Sequence, residues 1–157
     1  MKKTLIYGYG NPGRQDDGLG ARFIDLCEEW VQTIGTGQIS LDCNYQLNIE
    51  DAEIIAGYEQ VIFVDASIVD EIDSYKLEKI AADNSSIEFS MHAVSVGFVL
   101  DLCQKIYLKF PETYVLHIKA YSFDFIEELT PAAQSNLEVA FEFLKRYLSG
   151  YSQVDSE

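Results

Sequence analysis

The sequence predicts an α/β layered fold, and three observations carry the prediction. Apolar runs of strand length alternate with stripes of helical spacing along the chain. Residues 60–66, Gln-Val-Ile-Phe-Val-Asp-Ala, are almost continuously apolar, β-branched or aromatic up to Asp65, the mark of a strand buried on both faces. Residues 5–20 join an apolar run to a glycine-rich loop that ends in two carboxylates, Asp16 and Asp17, where an amphipathic helix starts.

Taken in order, residues 4–7 read as a buried strand. Leu19, Phe23, Leu26, Trp30 and Ile34 mark one face of a helix that Gly35 and Gly37 end. Residues 38–43 alternate through Ile39, Leu41 and Cys43 as a second strand, 49–56 make a short helix, and 60–66 form the buried strand. A weak alternation over 74–80 suggests an edge strand. Ser90 is placed to cap a helix whose stripe, Val94, Phe98 and Leu102 with Val99, Cys103 and Ile106, runs to Leu108. Residues 113–120 are a further strand, and Thr130-Pro131 opens a helix that turns Leu137, Phe141 and Leu144 inward before Gly150, because proline at the first helical position loses no hydrogen bond. Residues 1–150 are read as a single domain and 151–157 as a flexible tail.

The 157 residues carry 26 acidic and 11 basic side chains, a formal charge of −15. Such a surface repels phosphate backbones and anionic membranes, so neither nucleic acid nor a membrane is an expected partner. Cys27, Cys43 and Cys103 are odd in number and widely spaced, which supports neither a disulfide framework nor a thiolate zinc site and fits a cytoplasmic location. The basic start Met-Lys-Lys is not followed by an apolar stretch long enough for a signal peptide.

Gly8, Gly10 and Gly13 spell a G-x-G-x-x-G dinucleotide fingerprint between a strand and a helix, and a nucleotide-binding module is the alternative reading of this chain. Asp16 and Asp17 oppose it, because they put negative charge where a pyrophosphate would sit. One of the pair is expected to complement the dipole of the helix that follows. A loop rimmed by carboxylates suits a cation. In an open α/β sheet ligands collect beyond the carboxyl ends of the strands, and Asp17, Asp65 and His92 all fall there. Two oxygens and one imidazole nitrogen make a three-ligand site for a divalent transition metal, with positions left for water or substrate. Cys27 or Cys103 paired with His92 or His117 would be a thiol-nucleophile reading, but both cysteines sit on apolar stripes and read as reduced core residues, and His117 reads as a strand residue satisfied by a neighbour.

The segment Gly10-Asn11-Pro-Gly-Arg-Gln-Asp16-Asp17-Gly18-Leu-Gly20 resembles the opening motif G-N-x-x-x-x-D-[DE]-x-x-G of the hydrogenase maturation endopeptidases, which process the large subunit of nickel–iron hydrogenases. Residues 61–66 are similar to that family's second signature, His92 in Ser-Met-His-Ala occupies the place of its histidine, and Leu129-Thr130-Pro131 matches the short motif before its last helix. The resemblance implies a three-layer α/β/α sandwich around a twisted, mainly parallel sheet. It implies metal recognition by Asp17, Asp65 and His92, with Gly10, Asn11, Arg14 and Asp16 on a substrate-binding loop; catalytic groups beyond the metal ligands are not assigned. It further implies an endopeptidase that removes the C-terminal extension of a large-subunit precursor, acting as a monomer on nickel that the substrate supplies, so that the isolated protein can be empty or hold another divalent cation. One departure is that Asp42-Cys43-Asn44-Tyr45-Gln46-Leu47 stands where the family often has D-G-G-T-x-G, which bears on substrate subtype.

Overall fold

The computed structural model describes residues 1–83 and 94–150. Five strands, β1 (Thr4–Tyr9), β2 (Ile39–Asn44), β3 (Gln60–Ser67), β4 (Tyr75–Lys79) and β5 (Glu112–Lys119), form one sheet in the order β2-β1-β3-β5-β4. All pairings are parallel except that of β4, which runs antiparallel to β5 at one edge. Helices α1 (Leu19–Ile34) and α4 (Pro131–Leu148) cover one face, and α2 (Asp51–Ile55) and α3 (Val96–Leu102) the other. The expected three-layer α/β/α sandwich is therefore present.

Alternation along the strands divides two cores between these layers. Ile6, Ile62, Val64, Leu116 and Ile118 point toward Phe23 and Cys27 of α1 and Leu137 and Leu144 of α4. Leu5, Tyr7, Val61, Phe63 and Val115 point the other way, toward Ala52 and Ile55 of α2 and Val99, Leu100 and Cys103 beyond it. Helix α1 approaches the sheet unusually closely. A Cβ on Gly8 would lie 2.3 Å from the Gly20 carbonyl oxygen, and one on Gly20 would lie within 2.7 Å of the Tyr9 backbone, so two glycines set that distance.

Helix ends follow their local chemistry. Gly35 closes α1 in the left-handed conformation at φ 58°. Thr130 caps α4 by accepting a hydrogen bond from the Ala133 amide, with Pro131 at the first position. Two expectations fail here. Ile34 is exposed, since the last turn of α1 no longer faces the sheet. Helix α3 begins at Val96 with Ser95 as its cap, not at Ser90, and its buried stripe is Val96, Val99, Leu100 and Cys103 while Ile106 is exposed. Six of the nine residues from 94 to 102 are apolar and they fit more than one helical phase, so the stripe was ambiguous, and a π-helical turn over Cys103–Tyr107 then shifts it further. The tail 151–157 and His92 lie outside the described residues.

The order of connections positions the site. From β1 the chain moves through α1 to β2 on one side, and from β2 it returns through α2 to β3 on the other side of β1. The carboxyl ends of β1 and β3 thus flank the point where the winding reverses, the place where open α/β sheets bind their ligands.

Candidate functional site

Two carboxylates lie at this switch point. The loop after β1 ends in a 3-10 turn, Gln15–Gly18, that carries Asp17. The Asp17 amide donates to the Arg14 carbonyl at 3.0 Å, and Asp17 Oδ2 accepts the Asn11 amide at 2.8 Å, which leaves Oδ1 available. Gly10 makes this possible: its φ is +131°, and a Cβ there would lie 2.2 Å from the Asp17 carbonyl oxygen and 3.2 Å from Oδ1.

Asp65 comes from the end of β3. Its Oδ2 accepts the Tyr9 hydroxyl at 3.1 Å from the neighbouring strand β1. Burial pushes the Asp65 carboxyl up to about 7, with the Tyr9 hydrogen bond opposing and the Asp17 charge adding to the rise. Burial and the Asp65 charge also hold the Tyr9 phenol well above its ordinary value, so it remains a donor. The Asp17 and Asp65 charges act on each other, and among the described residues neither has a lysine or arginine partner. A carboxylate pair of this kind, one member partly desolvated, is relieved by a bound cation. Among the described residues no third histidine, cysteine or carboxylate joins them, and His92, the expected nitrogen ligand, lies outside those residues.

Asp16 has a different place from the one expected. It is 0% exposed and faces neither the substrate side of the loop nor the start of α1. Its Oδ1 accepts the Thr130 amide at 2.8 Å, and its Oδ2 accepts the Tyr121 and Ser122 amides at 2.8 and 3.1 Å and the Thr130 hydroxyl at 2.9 Å. The helix end it complements is that of α4. Sequence spacing could not show this, because the partners lie more than a hundred positions away. Tyr9 was missed as well, although its place at the end of β1 on the same sheet face as Asp65 was a usable signal.

Gly10, Asn11 and Arg14 lie on the loop that follows β1. Asn11 Oδ1 accepts the Gly13 amide at 2.8 Å and closes the turn, and exposed Arg14 lies over the Phe125 ring at 5.6 Å. The nucleotide-binding alternative fares poorly on the same geometry. Gly8 is used for helix packing, and the amides of Gly10, Asn11, Gly13 and Arg14 are bonded to Asn44, Asp17 and Asn11. A phosphate would find those donors already spent.

The thiol alternative has little support either. Cys27 and Cys103 are fully buried, burial pushes the Cys27 thiol up to about 12, and His117 bonds Glu78 at 2.8 Å. Cys43, in the alternation of β2 with Ile39 and Leu41, is exposed as a residue, and partial desolvation of its sulfur with the charges of Asp25, Asp42 and Glu28 raises its thiol too. A hollow lined by Lys2, Gln60, Glu112 and Tyr147 lies at the opposite, amino end of the strands.

A three-layer α/β/α sandwich with two carboxylates at its switch point that no lysine or arginine among the described residues pairs with is thus the class of molecule that fold and site define. The sequence matches no family model and no curated protein. Among solved structures it is similar to the [NiFe] hydrogenase maturation protease HycI from Thermococcus kodakarensis, with TM-score 0.74 and 20% identity over 94% of each chain. It is also similar to the hydrogenase maturating endopeptidase HybD from E. coli, with TM-score 0.73 and 18% identity over 94% of each chain. A hydrogenase 2 maturation peptidase from a Thaumarchaeota archaeon superposes with TM-score 0.63 and 18% identity over 94% of this chain and 98% of that one. The fold is the one these maturation proteases share.

Proposed function

We propose that this chain is an endopeptidase of hydrogenase maturation, which removes the C-terminal extension of a nickel–iron hydrogenase large-subunit precursor once nickel has been inserted. The observation that carries the reading is the convergence of Asp17 and Asp65 at the switch point between β1 and β3, with no lysine or arginine partner among the described residues. The shared fold of the maturation proteases supports it. His92 supplies the nitrogen that completes a donor set suited to nickel.

In this reading the metal belongs to the substrate, and the protein recognises it. A metal held beside the scissile bond can polarise the carbonyl or lower the pKa of a bound water, which removes the need for a serine or cysteine nucleophile. The chain's own groups fix the geometry: the Asn11 amide holds one oxygen of Asp17 and leaves the other for the metal, and the Tyr9 hydroxyl orients Asp65. Arg14, exposed on the same loop, is placed to steer a carboxylate of the precursor.

The test is processing of a purified precursor, loaded with nickel or left empty, followed as the shift to a shorter form on a gel. The loaded precursor should be cut and the empty one left intact. Asp17→Asn, Asp65→Asn and His92→Ala should each abolish cleavage while folding normally. Undiminished cleavage by all three folded variants would refute the metal-recognition reading.

A further inference from the structure

We infer that Asp16 is a positioning residue that locks Asp17 in place by clasping the segment 121–130 onto the glycine loop, an inference that rests on the proposed role of Asp17. The carboxylate is fully buried, and its partners are not cations but four donors from one distant segment: three backbone amides and the Thr130 hydroxyl. Thr130 Oγ1 in turn accepts the Ala133 amide at 3.3 Å, so the positive end of the eighteen-residue helix α4 stands behind the clasp.

The backbone on either side is laced to the same segment. The Asp16 amide donates to the Ser122 carbonyl at 3.0 Å and the Gln15 amide to the Ile126 carbonyl at 2.7 Å. Gln15 Oε1 accepts the Asp124 amide at 3.3 Å, and Arg22 reaches the Glu127 carbonyl. Gln15 sits at φ 50°, a conformation that a non-glycine residue holds only when its surroundings impose it. Without the Asp16 carboxylate the segment 121–130 is held to the loop by fewer bonds, so the hold on Gln15, where the 3-10 turn that aims Asp17 begins, is loosened. A buried carboxylate suits the place because all four partners donate. An asparagine would turn an NH2 group toward some of them.

The position of Asp17 has its own reporter, since the Asn11 amide is bonded to Asp17 Oδ2. The experiment is amide hydrogen exchange on wild type and Asp16→Asn, read at Asn11 against the β3 amides Val61, Ile62, Phe63 and Val64, together with kcat and KM on the nickel-loaded precursor. Asp16→Asn should speed exchange at Asn11 at least tenfold relative to the β3 amides, and should lower kcat at least tenfold with a smaller change in KM. Should Asp16→Asn fail to fold, Thr130→Val removes one donor and should give the same selective loss of protection, while Thr130→Ser keeps the hydroxyl and restores it. Unchanged relative protection of Asn11 in folded Asp16→Asn, or Thr130→Val indistinguishable from Thr130→Ser, would overturn the inference. A wild type that leaves the nickel-loaded precursor uncut defeats the proposed function instead, and the exchange result then stands by itself.

Discussion

The Tyr9 hydroxyl donates a hydrogen bond at 3.1 Å to Asp65 Oδ2 from the adjacent parallel strand, and it is the one side-chain donor that the described residues offer this partly desolvated carboxylate. One neutral donor does not offset burial, so the Asp65 carboxyl is raised from 3.8 to about 7. Asp65 therefore weakens the fold whenever it is ionised, which is the pattern of a group kept for binding and not for stability.

The pH dependence has a definite sign. Protonation favours the folded state here, so the contribution of Asp65 is fully present below pH 3.8, and it is lost as pH rises through about 7. Asp65→Asn removes that slope. Denaturant unfolding should find the variant more stable than wild type by about 1–3 kcal/mol above pH 8, after allowance for the water that reaches the group, with the difference closing toward pH 4. A variant equally or less stable at high pH would show that Asp65 is well solvated.

Gly20 brings α1 against the carboxyl ends of β1 and β3, with the Tyr9 backbone and the Val64 carbonyl all within 3.0 Å of any added Cβ. Those neighbours are backbone atoms and cannot rotate away. Gly20→Ala should cost about 1–3 kcal/mol although it improves helix propensity. It should also disturb the Asp17 turn, so precursor cleavage should fall by more than the loss of folded protein explains. Thermal melting and specific cleavage rate, measured on the same preparation, decide the matter.

The central strands β1 and β3 were legible because they are buried on both faces, which produces continuous apolar runs such as Val61 to Val64. Helix α4 was legible from Thr130-Pro131, where local chemistry sets the start. Where several phases fitted the apolar residues, as over 94–102, periodicity could not choose the buried stripe, and the cap was expected at Ser90 where Ser95 provides it. Of the site, Asp17 and Asp65 could be placed from strand ends alone. The role of Asp16 could not, since it depends on loop amides at Tyr121, Ser122 and Thr130 whose approach only the packing of α4 beside α1 brings about.

The cysteines should prove dispensable for chemistry. Cys27→Ala and Cys103→Ala each empty a packed position and should cost about 1–2 kcal/mol, whereas exposed Cys43→Ser should be close to neutral. Each folded variant should still shorten the nickel-loaded precursor at the wild-type rate. Loss of cleavage in one folded variant with an unchanged melting temperature would point to a thiol nucleophile.

The glycine loop should not bind nucleotides, for reasons of donors as well as charge. Phosphate recognition at a loop of this kind depends on backbone amides that are free to turn toward the anion. Here the Gly10 amide is bonded to the Asn44 carbonyl at 3.1 Å, the Asn11 amide to Asp17, and the Gly13 and Arg14 amides to Asn11. To receive a diphosphate the loop would have to break the Asn11–Asp17 bond and bring the anion beside the Asp17 carboxylate, with Arg14 as the one cation on the loop. Calorimetric titration with NAD or ATP near neutral pH should therefore show no micromolar binding in wild type. Asp17→Asn lowers the charge but keeps the spent amides, so it should not create binding either. If Asp17→Asn gains nucleotide affinity, charge alone guards the loop and the donor argument is wrong; if wild type already binds, the loop is a nucleotide site and the metal reading gives way.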